Sequence, residues 1–172
     1  MMDTALMTDD TAFDPATNPM AFRHALGRFA TGVTVITAQG PEGPAGITAN
    51  SFASVSLDPP LVLWSPAKSS ARFPIFESAE RYAIHLLSEA QRDIAAAFTH
   101  NVNAFDGLAW HGAPNGTPII ENCLATFQCT REATHDAGDH VIILGRVTDV
   151  RTSDGSGLVF HGGRFGGFRG EG

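Results

Sequence analysis

At 172 residues with 43% hydrophobic residues, the chain is long enough to close one core of ordinary size. Its net charge of −7 argues against a nucleic-acid surface, where clustered Lys and Arg are expected. No apolar run approaches the roughly 18 residues of a membrane span, and the opening MMDTALMTDD lacks the basic start and apolar stretch of a secretory signal, so the expected location is the cytoplasm.

Residues 1–17 hold four aspartates, no basic residue and little apolar periodicity, which predicts a disordered acidic tail ahead of one folded domain over 18–172. Asn18 and Pro19 then form a helix start, N-cap followed by first helical position. Phe22, Leu26 and Phe29 follow as an apolar stripe at i, i+4 and i+7, with Arg23 and Arg28 off it. TGVTVITAQ (31–39) is alternating and β-branched, a strand. GPEGPAG (40–46) is a hairpin-type turn, and GITANSFASVSLDPP (46–60) returns as a second strand. Pro59-Pro60 cannot donate to a ladder and so mark a break before the short strand LVLWS (61–65).

Ser69 and Ser70 are positioned to cap a helix running to about Ala79, with Pro74 near its first turn. RYAIHLLS (81–88) reads as a strand. Ser88 and Gln91 form a capping box for a helix through Phe98. The stretch from Thr99 to Asn115 has no period and reads as a long loop turning at Asp106-Gly107. Residues 125–137 and 140–151 alternate and pair as a hairpin, and 158–168 supplies a last strand with a glycine-rich end. Many short strands, few helices and no βαβ alternation predict a mainly β (α+β) protein, an antiparallel barrel with short peripheral helices.

No nucleophile elbow, zinc-protease helix or phosphate-loop motif occurs, and the glycines of GGRFGG (162–167) precede no helix. The two cysteines, Cys123 and Cys129, are neither C-x-x-C nor a zinc set. Their even spacing would put them on one face of one strand as buried free thiols. His135-Asp136 and Asp139-His140 could ligate a metal, but at a turn without a third ligand they read more simply as solvated polar residues. His85, among apolar strand residues, reads as a satisfied core histidine.

The small polar groups of 46–60, among them Thr48, Asn50, Ser51, Ser54 and Ser56, could offer many hydrogen bonds to a flat heteroaromatic ligand. Ser69 and Ser70 at a helix start, with Lys68 and Arg72 beside them, have the charge and donors of a phosphate site. A capped helix beside a solvated turn accounts for the same residues equally well.

These stretches carry a family resemblance. FRHALGRFATGVTVIT, GITANSFASVSLDPPLVLWS and AKSSAR, followed in order by LLSEAQRDIAAAF, GDHVIILGRV and LVFHGGRFG, resemble the flavin reductase family that supplies reduced flavin to two-component monooxygenases. The resemblance spans about residues 20–168. It implies an FMN-binding split barrel, a homodimer, FMN or FAD with NADH or NADPH, and a monooxygenase partner reached by diffusing reduced flavin. It assigns Thr48, Ala49, Asn50 and Ser51 to the ribityl and phosphate region, and Ser54, Val55 and Ser56 to the backbone along the isoalloxazine edge. Ser65, Lys68, Ser69, Ser70 and Arg72 fall at the phosphate end, Phe98 at an aromatic of the flavin pocket and His140 on the nicotinamide side. Phe165 stands where relatives often carry Tyr, retaining the ring and losing the hydroxyl. Hydride transfer between the two cofactors needs no protein nucleophile, which agrees with the scarcity of catalytic motifs. A split-barrel oxidase that keeps its FMN and a non-enzymatic flavin-binding protein stay open beside the reductase at this level.

Overall fold

The computed structural model of the chain describes residues 12–170, so most of the expected acidic tail lies outside the described residues. Asp14 receives backbone hydrogen bonds from Thr17 and Asn18 in a turn that leads into helix α1 (Pro19–Leu26), whose N-cap Asn18 accepts from the Ala21 amide. The apolar stripe faces outward: α1 buries no residue, and Phe22, Leu26 and Phe29 are all exposed.

The alternating stretch from Thr31 divides into β1 (Thr31–Gly32) and β2 (Thr34–Gly40). Val33 interrupts them because its amide and carbonyl turn to Leu158 and Leu87. A two-residue turn leads to β3 (Gly43–Ala49). The segment 46–60 is not one strand. It breaks at residues 50–52, and β4 (Ala53–Leu57) emerges on the opposite edge of the sheet, turning at Pro59 into β5 (Pro60–Trp64). Helix α2 (Phe73–Ser78) starts at Arg72, later than Ser69 and Ser70, which lie in the turns before it. Strand β6 (Arg81–Leu86) follows, and the Ser88–Gln91 capping box opens a 3-10 turn that runs into α3 (Arg92–His100).

The expected long loop contains a strand, β7 (Trp110–Gly112), paired with β8 (Pro118–Ile120). The expected hairpin is β9 (Ala125–Ala137) and β10 (His140–Thr152), two 13-residue strands with two register shifts. The expected last strand is itself a hairpin, β11 (Leu158–His161) and β12 (Arg164–Gly167). Gly162 and Gly163 turn it with φ of +55° and +79°.

Seven strands form the main antiparallel sheet in the order β3-β2-β6-β9-β10-β5-β4. Alternate residues of its middle strands meet in one core, with Ile36, Val62, Trp64, Tyr82, Ile84, Cys129 and Ile143 buried together. The sheet therefore rolls on itself, while the ladder stays open between β3 and β4, a split barrel. Gly145 on β10 admits the Tyr82 ring: a Cβ there would stand 2.1 Å from the phenol oxygen.

A second core lies outside the barrel wall, where Val33, Val35, Leu87, Ala95, Phe98, Phe105 and Ile120 bind α3 and the β7–β8 hairpin to β2. His85 is fully buried between these layers, as expected. Its Nδ1–H donates to the Val35 carbonyl at 3.0 Å, and its Nε2 accepts from the Ile120 amide at 3.0 Å. Both cysteines are buried free thiols, but Cys123 precedes β9, so they share no strand. Burial pushes them up to about 11 and about 12, out of the thiolate range. Among the described residues no helix is long and apolar enough to cross a membrane.

Candidate functional site

The edge-to-edge crossing at residues 50–52 builds the site. Two cavities, of 230 and 520 Å³, lie on either side of this corner and share Thr48, Ala49 and Asn50 in their walls. Both sizes suit parts of a small-molecule ligand. The first is completed by Ser51, Trp64, Ser65, Ser70 and His140, and the second by Arg23, Ala96, Thr99, His100, Phe160 and Phe165.

Several polar groups expected at the ligand are occupied by the fold. Thr48 Oγ1 donates to the Ala95 carbonyl at 2.7 Å and ties β3 to α3. Ser51 Oγ accepts from the Ser65 amide at 2.9 Å and so clamps the corner to the end of β5. Asn50 and the Ser65 hydroxyl make no side-chain hydrogen bond among the described residues, and Ser70 Oγ accepts only the Arg72 amide, at 3.2 Å.

The two cations expected at the phosphate end line neither cavity. Lys68 ion-pairs with Asp136 and donates to the Gly138 carbonyl at 2.6 Å, holding the β9–β10 turn. The Arg72 guanidinium donates to the Phe98 carbonyl and, at 3.3 Å, to the Thr99 carbonyl. Each cation found oxygen acceptors of the chain within reach, which a spacing argument does not register. Ser69 is exposed and lies outside both cavities.

Phe98 is fully buried, its ring against Gly46 and 5.0 Å from that of Phe105, so its side chain belongs to the core and not to a cavity wall. Ser54, Val55 and Ser56 lie on β4, an edge strand with one unpaired side, and line neither cavity. The ladder shifts register between Ser54 and Ser56, leaving Val55 out of line.

His140 stands at the mouth of the first cavity because the end of the β9–β10 hairpin docks on residues 66–68, with the Val141 amide bonded to Pro66 and the Lys68 amide to Asp139. Its Nδ1 lies 2.7 Å from Asp139 Oδ1. With Nδ1–H donating to that carboxylate, Nε2 is left for a ligand. The hydrogen bond from His140 holds the Asp139 carboxyl below its usual range. Phe165, on β12, does line a cavity, packed edge-on to Phe160 at 5.4 Å.

Sequence reasoning missed Arg23, His100 and Phe160 as wall residues. Arg23 had one legible signal, its place off the apolar stripe of α1; the other two had none, since only the tertiary fold brings α3 and the last hairpin to the corner.

The flavin reductase like domain family matches residues 26–169. Over 169 residues the chain is 54% identical to the FMN reductase (NADH) SmoA of Agrobacterium fabrum, covering 98% of this chain and 97% of that relative. It is 40% identical over 134 residues to HsaB of Mycobacterium tuberculosis, the reductase subunit of a flavin-dependent monooxygenase, covering 77% of this chain and 72% of that one. Among solved structures, the NADH:FAD oxidoreductase SgcE6 of Streptomyces globisporus, in complex with NAD and FAD fragments, superposes with a TM-score of 0.86 at 36% identity, over 92% of this chain and 97% of that one. With a split barrel, a polar corner cavity and a family match along nearly the whole folded part, the chain belongs to the flavin reductase-like family.

Proposed function

We propose that flavin lies across the first cavity, held by the corner at residues 48–51, by Ser65 and Ser70, and along the free edge of β4, with the nicotinamide substrate entering beside His140. The chain is an NAD(P)H-dependent flavin reductase, and the flavin supplies the electron sink that accepts hydride from the dihydronicotinamide. One observation carries the placement: the family's polar segment forms a corner between two cavities rather than a surface loop.

The donor set suits such a guest. The first cavity is walled by backbone, Asn50, hydroxyls and one imidazole, and no carboxylate lines it. Neutral donors match the hydroxyls of a ribityl chain and the edge of a heteroaromatic ring. Unpaired backbone N–H groups on the free side of β4 can meet negative charge that develops at a ring edge. Lys68 and Arg72 serve as positioning residues, Lys68 by fixing the hairpin that carries His140 and Arg72 by tying the loop of Ser70 to α3.

On this reading the protein acts in the cytoplasm and passes reduced flavin by diffusion to a monooxygenase component; the HsaB relative is named as the reductase subunit of a flavin-dependent monooxygenase, which supports such a partner. It works as a homodimer: α1 displays Phe22, Leu26 and Phe29, and Leu57 at the tip of β4 is 97% exposed, apolar surface that a second copy would cover. Light scattering on the purified chain should return twice the mass of one chain; a single-chain mass removes the dimer.

A steady-state assay crossing FMN and FAD with NADH and NADPH tests the reading. Oxidation of the nicotinamide should depend on added free flavin, whereas tightly bound flavin without turnover points to a binding protein. His140→Ala should raise KM for the nicotinamide substrate roughly tenfold, the scale of one lost hydrogen bond, and move KM for flavin little. Equal effects on both would make His140 structural.

A further inference from the structure

The corner at residues 48–51 is held from three sides by hydroxyls, and one of these belongs to a residue outside both cavities. Strand β2 begins at Thr34, because Val33 turns its amide and carbonyl to Leu158 and Leu87. The ladder between β2 and β3 therefore ends at the pair Thr34–Ala49. A strand pair opens most easily at its last rung, and here the chain must also leave β3 and cross to the other edge of the sheet. Thr34 Oγ1 donates to the Ala49 carbonyl at 2.7 Å and adds a side-chain bond at this end of the ladder. Thr34 is 1% exposed, so water competes little for its hydroxyl.

The neighbouring clamps reach other elements. Thr48 Oγ1 donates to the Ala95 carbonyl at 2.7 Å, an oxygen that also accepts from Thr99 Oγ1 at 2.9 Å. Ser51 Oγ accepts from the Ser65 amide at 2.9 Å and donates to the Ser65 carbonyl at 3.2 Å. Thr48 is thus tied to α3, Ala49 to β2, and Ser51 to the end of β5. Asn50 stands between them, exposed and lining both cavities, with its amide free of side-chain hydrogen bonds among the described residues. A backbone fixed on both sides of a free polar group presents that group to a ligand at little ordering cost.

We propose that Thr34 is a positioning residue: its hydroxyl fixes the Ala49 carbonyl, and through it the direction in which Asn50 meets a flavin at the corner. Thr34 lines neither cavity, so it acts only through Ala49. This rests on the placement of flavin across the first cavity.

Thr37 supplies a matched comparison. It is fully buried on the same strand, and its Oγ1 donates to the Pro118 carbonyl at 2.5 Å. Neither Thr37 nor Pro118 lines a cavity. Valine at either position removes the hydroxyl and leaves a carbonyl without its donor, so both variants should lower the urea midpoint. Only Thr34→Val should loosen the corner.

FMN titrated into the full chain should bind Thr34→Val about fivefold more weakly, and Thr37→Val within about twofold of the parent. Thr34→Ser keeps the donor and should recover most of the loss. Hydrogen exchange over residues 48–52 without flavin should quicken in Thr34→Val and not in Thr37→Val. Asn50→Ala tests the flavin placement separately. If neither Asn50→Ala nor Thr34→Val changes FMN affinity while the corner exchanges faster, the placement fails and the hold of Thr34 on the corner stands. If Asn50→Ala weakens FMN and Thr34→Val does not, the proposal is overturned. Equal weakening by Thr34→Val and Thr37→Val, or a corner whose exchange is unchanged in Thr34→Val, also overturns it and leaves Thr34 as a structural residue.

Discussion

Gly46→Ala is expected to lower the unfolding free energy by about 1–3 kcal/mol, the range for forcing a methyl group into a packed interior. A Cβ at Gly46 would stand 2.4 and 2.6 Å from two ring carbons of Phe98. That ring cannot withdraw, because it is fully buried and the Phe105 ring stands edge-on at 5.0 Å. The Gly46 amide also bonds the Val102 carbonyl at 3.0 Å, which pins the backbone on the other side. The effect reaches the site: α3 carries Ala96, Thr99 and His100 of the larger cavity, and β3 carries Thr48 and Ala49, which line both. Flavin affinity should therefore fall along with the urea midpoint. Gly32→Ala is the control, since no atom lies within 4 Å of its Cβ position, and it should change stability by less than about 0.5 kcal/mol. A Gly46→Ala protein with the parent's midpoint would show that α3 adjusts freely over β3.

The second expected result is a loss of roughly 2–3 kcal/mol of stability as pH falls from about 7 to about 4.5, carried by His85. Desolvation lowers its pKa from 6.5 to about 4, while the hydrogen bond to Val35 acts the other way. Between those values the unfolded chain binds a proton at this residue that the folded chain does not, so stability rises with pH. The contribution is whole above 6.5 and drains away as pH falls towards 4. The carboxyls of Glu132 and Asp139, held low by Arg146 and His140, add their losses only below the ordinary carboxylate range, so the interval above it belongs to His85. His85→Gln should be less stable at neutral pH, because the Val35 carbonyl and Ile120 amide lose a fitted partner, and its stability should be flat across that interval. Parallel slopes for parent and variant would assign the pH dependence elsewhere.

Much of the strand and helix content was legible because it depends on local periods. The alternation at 34–40 and along 125–151, the Ser88–Gln91 capping box and the apolar surroundings of His85 each follow from neighbours a few residues away. The ordered motifs of 20–168 likewise pointed to the family, and with it to the corner at Thr48–Ser51 and to His140. The sequence by itself thus determined a β-rich chain, its family and the polar segment that forms the corner between the two cavities.

The tertiary structure alone decided where each element ends and which surface each face meets. Nothing local distinguishes one strand over 46–60 from two strands at opposite edges of a split barrel, because the division depends on β3 pairing with β2 and β4 with β5. The stripe of α1 has the period of a buried face and yet lies exposed, since period reports amphipathicity and not the partner. Lys68 and Arg72 turn from an expected phosphate to Asp136 and to the end of α3, while Arg23 and His100, distant in sequence, come together at one cavity. A side chain's charge is written in the sequence, but which opposite charge or carbonyl reaches it first is settled by contacts between elements far apart along the chain.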